Sequence, residues 1–300
     1  GSGGGGDERG VFGGGYTGST SLVMDYITIS STGDASNFGN LSESRQKNAS
    51  TSNGSSGRGV FAGGKSSSYS KIIDYITISS TGDATNFGDL SVAREAVSGT
   101  SNTTSERGVF GGGYTGSNSD VIDYITISST GDATDFGNLS VAREAVGATS
   151  NFAPGDRGVF AGGNAASISD VIDYITISST GDATDFGNLS VARYGGGATS
   201  NGSSDRGVFG GGWSGSASDV IDYITISSAG DATNFGTLSV ARYGLGATSN
   251  GESERGVFVG GSTHTYSDTM DYITISSTGD ATNFGALTVP RRYLAATSDA

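Results

Sequence analysis

The chain has 300 residues, of which 30 are acidic and 16 are basic, so its formal net charge is −14, and it contains no cysteine. This acidic balance argues against binding to nucleic acid or to anionic membrane, because neutralising phosphates requires clustered Lys and Arg. The absence of cysteine excludes disulfides and thiolate metal sites. No apolar run is long enough to span a membrane, and no signal peptide is visible at the start.

The composition favours short strands joined by tight turns. Gly contributes 53 residues and Pro only two, and β-branched residues alternate with polar ones. Only 34% of the residues are hydrophobic, but they recur at the same places along the chain, which predicts an ordered protein. Residues 1–8 (GSGGGGDE) resemble a linker or tag, and residues 9–300 are predicted to form one domain.

One segment recurs six times with few changes, and its third copy, Val121 to Arg143, reads VIDYITISSTGDATDFGNLSVAR. The Tyr of each copy marks the period, with spacings of 49, 49, 50, 49 and 49 residues: Tyr26, Tyr75, Tyr124, Tyr174, Tyr223 and Tyr272. A segment reading RGVF opens each repeat, at Arg9, Arg58, Arg107, Arg157, Arg206 and Arg255. Self-similarity at a fixed period indicates a repeat architecture.

Each repeat is predicted to contain four strands. In the third copy the first is RGVF, and the second is Val121 to Ile127, where apolar residues alternate. Ser129 to Asp132 supplies a turn, after which a return strand carries Phe136 and ends near Arg143. The fourth strand is Gly147 to Ser150. Four short strands in about 50 residues are typical of a β-propeller blade.

The two ends of the chain predict how the ring closes. No small-residue strand precedes the RGVF segment at Arg9, and no RGVF segment follows the last such strand, Tyr293 to Ser298. We therefore expect an all-β, six-bladed propeller with four antiparallel strands per blade, in which the C-terminal strand joins the first blade. Apolar residues of each repeat should pack between neighbouring blades: Phe12, Tyr26, Phe38, Leu41 and their equivalents. The extra residue of the fourth spacing falls between Asn151 and Asp156 and should lengthen a loop.

The repeats resemble two groups of known proteins. RGVFGGG is similar to the hydrophobic strand and double glycine of kelch repeats, and DYITIS supplies the tyrosine of that family. The second aromatic is Phe136, 12 positions after Tyr124, where kelch repeats carry a Trp about six positions after the Tyr, so the fold is kelch-like. The repeat sequence RGVFGGGYTG…IDYITISSTGDATDFGNLSVAR also resembles repeats in structural proteins of marine tailed phages, including cyanophages. That resemblance implies a virion or extracellular component, such as part of a tail fibre.

Most charged residues occupy repeated positions, which favours structural pairing and turn formation over a catalytic role; a repeated ligand or Ca²⁺ site is the alternative. The repeated basic positions are those of the six RGVF arginines together with Arg45, Arg94, Arg143, Arg193, Arg242 and Arg291. The repeated acidic positions are Asp25, Asp74, Asp123, Asp173, Asp222 and Asp271, and Asp34, Asp83, Asp132, Asp182, Asp231 and Asp280. No phosphate-loop motif is present, and the single His264 is expected to be an exposed loop residue. No cofactor and no metal site are expected.

Two positions vary between repeats and should lie on the same side of the disc, because alternate turns of an up-and-down blade share a side. After the double glycine stand Tyr16, Lys65, Tyr114, Asn164, Trp213 and Ser262. After the second arginine stand Gln46, Glu95, Glu144, Tyr194, Tyr243 and Arg292. Relaxed selection on loops explains such variation, but the mixture of aromatic and amide residues also suits a recognition surface. Of these residues, we expect Trp213 to contribute most to binding at such a surface.

The sequence thus predicts a non-enzymatic binding or structural propeller. Its expected partner is a host surface glycan or protein, or another virion protein. One alternative is an intracellular kelch-type scaffold for protein interactions. Another is an enzyme acting on polysaccharides, for which Glu95 and Glu144 are the most obvious pair of carboxylates outside the repeated pattern. A designed propeller is a further alternative, given the similarity of the copies.

Overall fold

A computed structural model describes residues 8–52, 57–102, 106–151, 156–201, 204–249 and 254–298. The described residues form 24 β-strands in six four-stranded sheets, with no helix among them. No segment of this part of the chain therefore has the form of a membrane-crossing helix. Each sheet is one blade. The predicted linker falls mostly on residues 1–7, and the lengthened loop mostly on residues 152–155, both of which lie outside the described residues.

Strands are given from the innermost to the outermost: blade 1 consists of β24 (Ala295–Ser298), β1 (Arg9–Gly13), β2 (Val23–Thr28) and β3 (Ser36–Asn40), and blade 2 of β4 (Ala49–Ser52), β5 (Arg58–Ala62), β6 (Ile72–Thr77) and β7 (Thr85–Asp89). Blade 3 consists of β8 (Ser98–Ser101), β9 (Arg107–Gly111), β10 (Val121–Thr126) and β11 (Thr134–Asn138), and blade 4 of β12 (Gly147–Ser150), β13 (Arg157–Ala161), β14 (Val171–Thr176) and β15 (Thr184–Asn188). Blade 5 consists of β16 (Gly197–Asn201), β17 (Arg206–Gly210), β18 (Val220–Thr225) and β19 (Thr233–Thr237), and blade 6 of β20 (Gly246–Ser249), β21 (Arg255–Val259), β22 (Thr269–Thr274) and β23 (Thr282–Ala286).

The six blades close into a ring. Each innermost strand contacts the innermost strands of both neighbouring blades, and β24 lies between β20 and β4. Strand β24 also pairs with β1 in antiparallel register, from Gly10 opposite Ser298 to Gly13 opposite Ala295. The predicted six-bladed propeller with four antiparallel strands per blade, closed by the C-terminal strand, is therefore confirmed.

The outer strand of each blade is shorter than predicted. In blade 3, β11 ends at Asn138, and its register against β10 shifts where Phe136 forms a bulge. Gly137 in this bulge has a φ of 150°, and a Cβ there would overlap the backbone of Gly181 in the next blade. The chain then leaves the sheet, so Arg143 is not at the end of a strand as expected. It turns instead toward the neighbouring blade.

Apolar side chains pack between neighbouring blades, as predicted. Phe38 and Leu41 of blade 1 lie in one cluster with Phe61 and Ile76 of blade 2. Phe12 packs on the opposite side of blade 1, in a cluster with residues of blade 6. Burying one such side chain contributes about 2 kcal/mol, so most of the stabilisation of a blade comes from the blades beside it.

A buried ion pair joins each blade to the next. In blades 3 and 4, Nη2 of Arg143 lies 3.0 Å from Oδ2 of Asp173 and also donates to the carbonyl oxygen of Phe160. Ser140 donates a further hydrogen bond to Asp173. Burial lowers the pKa of Arg143, and the neighbouring aspartate opposes that effect. The six pairs are Arg45–Asp74, Arg94–Asp123, Arg143–Asp173, Arg193–Asp222, Arg242–Asp271 and Arg291–Asp25.

The other repeated charges also connect blades. The guanidinium of Arg107 lies 4.4 Å from the ring centre of Tyr124 and donates to the carbonyl oxygen of Ile177 in the next blade. Oδ1 of Asp182 accepts a bond from the backbone nitrogen of Asn138 in the preceding blade, at 3.0 Å. Structural pairing of the repeated charges is confirmed. The second set of aspartates, however, joins two blades rather than only shaping its own turn.

The last strand should be essential to the whole ring. A chain that ends at Leu294 lacks β24, which leaves the inner edge of β1 unpaired and removes a partner of β4 and of β20. We expect it to lose at least about 5 kcal/mol of unfolding free energy or to fail to fold, as measured by urea denaturation. A chain that ends at Ser298 keeps β24 and serves as the control. Equal stability of the two chains would show that the ring does not depend on this closure.

Breaking one ion pair should destabilise the fold strongly. In the variant Arg143→Met, Asp173 stays buried without its cation, so the unfolding free energy should fall by about 3–5 kcal/mol in urea denaturation. The control is Asp135→Asn, which changes an exposed side chain of β11 to the residue found at that position in four other repeats. Its effect should stay within about 0.5 kcal/mol. A loss in Arg143→Met no larger than in the control would contradict this role of the pair.

Candidate ligand-binding face

The twelve variable residues form six backbone pairs, one on each blade. Each pair continues the ladder between the two inner strands of its blade; in blade 5, for example, Tyr194 and Trp213 exchange hydrogen bonds of 3.2 and 2.8 Å. The pairs are Tyr16–Arg292, Gln46–Lys65, Glu95–Tyr114, Glu144–Asn164, Tyr194–Trp213 and Tyr243–Ser262. The expectation that both connections share one side of the disc is confirmed, and we call this side the variable face.

A ring of backbone hydrogen bonds surrounds the axis on the variable face. Lys47 donates its N–H to the carbonyl oxygen of Tyr293, and the same bond recurs from blade to blade until the ring is closed, at 2.6 to 2.9 Å. All six residues have left-handed backbone conformations, with φ between 54° and 68°. They are Lys47, Ala96, Ala145, Gly195, Gly244 and Tyr293. This conformation costs a residue other than glycine roughly 1–2 kcal/mol, so four of the six positions are strained: Lys47, Ala96, Ala145 and Tyr293.

A cavity of about 120 Å³ opens on the axis inside this ring, and we call it the axial mouth. Polar side chains in its wall belong to Lys47, Asn48, Ser98, Glu144, Tyr194 and Tyr293. Apolar side chains of the blades lie beneath them: Val97, Val146, Leu245 and Leu294. Two further cavities of about 130 and 110 Å³ follow along the inner strands, so an axial channel runs through the disc.

Serine hydroxyls form a second ring near the other end of the channel. Each one donates a hydrogen bond to the carbonyl oxygen of the corresponding serine in the preceding blade. The six residues are Ser52, Ser101, Ser150, Ser200, Ser249 and Ser298. These bonds satisfy carbonyl groups on the inner edges of the sheets, which no further strand pairs.

Aromatic residues concentrate on one side of the variable face. The rings of Trp213 and Tyr243 lie edge to face with their centres 5.1 Å apart, and Tyr243 lies 6.2 Å from Tyr293. Tyr16 contacts Tyr266 in the same manner at 5.8 Å. We call this group the aromatic sector, which consists of Tyr16, Tyr194, Trp213, Tyr243, Tyr266 and Tyr293.

Arg292 lies within the aromatic sector and orders it. Its guanidinium is 4.8 Å from the ring centre of Tyr293 and 5.5 to 5.9 Å from those of Tyr16, Tyr243 and Tyr266. Nη1 of Arg292 also donates to the hydroxyl of Tyr243 at 2.6 Å. One arginine thus holds four tyrosine rings in place, through cation–π contacts worth about 0.5–2 kcal/mol each.

The other side of the variable face carries charged residues and one smaller aromatic pair, Tyr69 and Tyr114, whose ring centres lie 6.0 Å apart. Glu95 lies 3.5 Å from Nζ of Lys47 and 3.8 Å from Nζ of Lys65. Glu144, at the same repeat position, makes no ion pair with a described residue, and only Nδ2 of Asn164 donates to its carboxylate, at 3.4 Å. The sequence predicted that Glu95 and Ser262 belong to an exposed binding surface. Both are buried instead, with 6% and 3% of their surface exposed, so a large ligand cannot reach them.

The phenols at the axial mouth stay protonated at neutral pH. Burial raises the pKa of Tyr293 to about 12, although Arg292 lowers it, and nearby Tyr243, Tyr194 and Glu144 raise it further. Burial likewise raises the pKa of Tyr194, with smaller effects of Tyr243 and Glu144. Both hydroxyls can therefore donate or accept hydrogen bonds in the mouth.

Sequence reasoning missed two pairs of residues at this site. Lys47 and Tyr293 were not selected, because their position holds Lys, Ala, Gly or Tyr and carries no common side-chain pattern. Tyr266 and Tyr69 were also missed; each lies four positions after a variable residue and forms a backbone bridge with it. A tyrosine at this spacing, where the other repeats have Thr, Asn, Ile or Ala, was the available signal.

The remaining sequence candidates lie away from the axial mouth. His264 is exposed, as predicted. Asp132 belongs to the repeated aspartates for which a Ca²⁺ site was the alternative, and its Oδ1 accepts a hydrogen bond from the backbone nitrogen of Asp89 in the preceding blade. Within the described ranges, no group of three or more His, Cys, Asp or Glu residues could hold a metal ion.

These features define the chain as a six-bladed β-propeller with one variable face around its axis. No protein-family model matches the chain, and no curated protein matches its sequence. The six sheets establish the propeller fold. The resemblance to kelch repeats and to phage proteins rests on the amino-acid sequence of the repeats alone.

Asn48 is a polar residue in the apolar layer beneath the axial mouth. Only 6% of its surface is exposed, and neither Oδ1 nor Nδ2 has a hydrogen-bond partner among the described residues. Its equivalents in four other blades are apolar: Val97, Val146, Leu245 and Leu294. A buried amide without partners costs about 1–3 kcal/mol.

Replacing Asn48 by Leu should therefore stabilise the protein. We expect Asn48→Leu to raise the unfolding free energy by about 1 kcal/mol in urea denaturation, because Leu has a similar size and needs no hydrogen bond. The control Leu245→Asn makes the reverse change at the same position of blade 6 and should destabilise. A loss of stability in Asn48→Leu would mean that the amide is satisfied in the folded protein.

Proposed function

We propose that the protein is a non-catalytic binding propeller that recognises a surface glycan through the aromatic sector. The observation that carries this proposal is the clustering of five tyrosines and the only tryptophan on one half of the variable face. Sugar rings bind through apolar C–H surfaces that suit aromatic rings, and through hydroxyls that suit polar groups beside them. Tyr194 and Tyr243 supply both kinds of group.

The arrangement of the aromatic sector supports recognition rather than simple loop variation. Arg292 fixes four rings through contacts of 4.8 to 5.9 Å, so these rings are held in place before any ligand arrives. A surface that is ordered in advance loses less conformational entropy on binding. Trp213 is partly exposed at the edge of this group, in contact with Tyr243, and remains open to a ligand.

The alternative of a polysaccharide-acting enzyme receives less support. Glu95, one of its two candidate carboxylates, is buried and lies against two lysines. A buried carboxylate that is paired with two ammonium groups suits a structural role better than that of a general acid, which must reach the glycosidic oxygen of a substrate. We therefore keep binding without turnover as the proposal.

The variant Trp213→Ala tests the proposed glycan surface. We expect the wild-type protein to bind a subset of glycans on an array, and Trp213→Ala to bind the same subset at least about tenfold more weakly, because a stacking surface is lost. The control is Asn164→Ala, at the equivalent position of blade 4, which lies outside the aromatic sector. Wild-type binding that is retained in Trp213→Ala, or equally reduced in Asn164→Ala, would reject the proposed site.

A second candidate function is a scaffold for protein interactions. The observation that favours it is a circle of exposed valines on the connections that lead to the variable face, each 40–46% exposed: Val92, Val141, Val191, Val240 and Val289. Blade 1 has Glu43 at this position, so the repeat accepts a charge there. Binding of a protein partner that is lost in Val141→Glu but retained in Trp213→Ala would favour this function.

The proposed setting is a tailed-phage virion, where the partner would be a host glycan or protein or another virion protein. Only the resemblance of the repeats to phage structural proteins supports this setting. Mass spectrometry of purified particles would detect peptides of the chain if it is correct.

A further inference from the structure

The axial mouth has a construction that the repeat does not require. Blades 5 and 6 place Gly at the left-handed position and blades 3 and 4 place Ala, whereas blades 1 and 2 place the large side chains of Tyr293 and Lys47 there. Residues held in this strained conformation tend to cluster at functional sites. The ring of Tyr293 lies over Gly244, where an added Cβ would come within 2.9 Å of it. A glycine in blade 6 thus makes room for a tyrosine in blade 1.

The charges in the mouth are unequal. Lys47 is paired with Glu95, which also faces Lys65. Glu144 lines the mouth without a cationic partner among the described residues, and its charge contributes to the raised pKa of both Tyr194 and Tyr293. The whole chain carries a net charge of −14, which attracts cations to such a site.

The polar groups match the needs of an ammonium ion. Glu144 carries a carboxylate, and Tyr194 and Tyr293 carry hydroxyl oxygens, so the wall of the mouth contains three groups that can accept the N–H donors of a primary ammonium group. A cation–π contact already occurs in this setting, since Nζ of Lys47 lies 5.4 Å from the ring centre of Tyr293. The cavity of about 120 Å³ holds a small group rather than a whole oligosaccharide.

We propose that the axial mouth binds a primary ammonium group, with Glu144 as its counter-ion and with Tyr194 and Tyr293 as its walls. The apolar layer beneath, which includes Val146 and Leu245, contacts the carbon atoms that carry the ammonium group. An amino sugar and a lysine side chain both offer this chemistry. The site shares Tyr194 and Tyr293 with the aromatic sector. It does not depend on that sector binding a glycan, because its counter-ion Glu144 lies outside the sector and Trp213 does not line the cavity.

Titration calorimetry with small probes tests the site. Glucosamine should bind saturably to the wild-type protein, whereas N-acetylglucosamine, which keeps the sugar but loses the charge, should bind at least about tenfold more weakly. A second arm uses the Nα-acetylated methylamide of lysine. Tighter binding of this probe than of glucosamine would identify a side chain as the preferred source of the ammonium group, and the reverse would identify an amino sugar.

Two variants of equal charge change locate the binding. Glu144→Gln should weaken glucosamine binding about tenfold, and it introduces the residue that blade 2 already carries as Gln46. Asp135→Asn, which removes one exposed charge far from the axis, should leave binding unchanged within about twofold. Thermal unfolding of each variant confirms that it is folded.

Three results would overturn the proposal: equal binding of glucosamine and N-acetylglucosamine, unchanged binding in Glu144→Gln, or no saturable binding of either ammonium probe at about 10 mM. These outcomes are separate from the glycan array. Loss of array binding in Trp213→Ala together with no ammonium binding would reject only the axial site, and the opposite pair of results would reject only the glycan surface.

Discussion

The buried arginine–aspartate pair between neighbouring blades is the interaction on which the rest of the structure depends. Each arginine has almost no exposed surface and reaches an aspartate and a backbone carbonyl of the following blade. A buried ion pair adds little net stability compared with apolar contacts, but removing one partner is costly. The pair therefore fixes how two blades are aligned more than it drives them together. Apolar clusters supply the driving force, and they would tolerate small shifts that the ion pair does not.

Six such connections would still leave the inner strands with a bare edge toward the axis. Two rings of hydrogen bonds satisfy polar groups on this edge, at two levels of the channel. One is the ring of backbone bonds that includes Lys47, and the other is the ring of serine hydroxyls that includes Ser52. Both rings use bonds between consecutive blades, so each is complete only when all six blades are present. Their closure depends on β24, since Tyr293 and Ser298 belong to the last segment of the chain.

Much of this could be predicted from the sequence, because its signals are local or periodic. The 49-residue period gives the blades, and the missing strand before Arg9 predicts that Ala295–Ser298 completes blade 1. The repeated positions of Arg143 and Asp173 favoured structural pairing. Their partners could not be read from one repeat, because the arginine and the aspartate of each pair lie in different blades; Arg143 and Asp173 are 30 residues apart along the chain.

The parts that could not be predicted arise from geometry around the axis. The left-handed position holds Lys, Ala, Gly or Tyr, and these residues share only a backbone bond to a neighbour about 49 residues away. No side-chain pattern marks such a bond. The bulge at Phe136 is similar, since its reason is the close approach of Gly137 to Gly181 in the next blade.

Both axial rings and all six ion pairs use backbone atoms or residues that are the same in every repeat. The side chains on the variable face therefore contribute little to the stability of the disc. That separation lets one fold present different chemistry in each blade. Blades 5, 6 and 1 carry aromatic residues around Arg292, whereas blades 2 to 4 carry lysines, glutamates and amides together with the single aromatic pair of Tyr69 and Tyr114. Glu144 and Tyr194 stand where these two halves meet beside the axis. A ligand with a charged group at one end and an apolar face at the other would contact both halves at once. A six-fold symmetric face would offer the same groups to both ends of such a ligand and could not orient it.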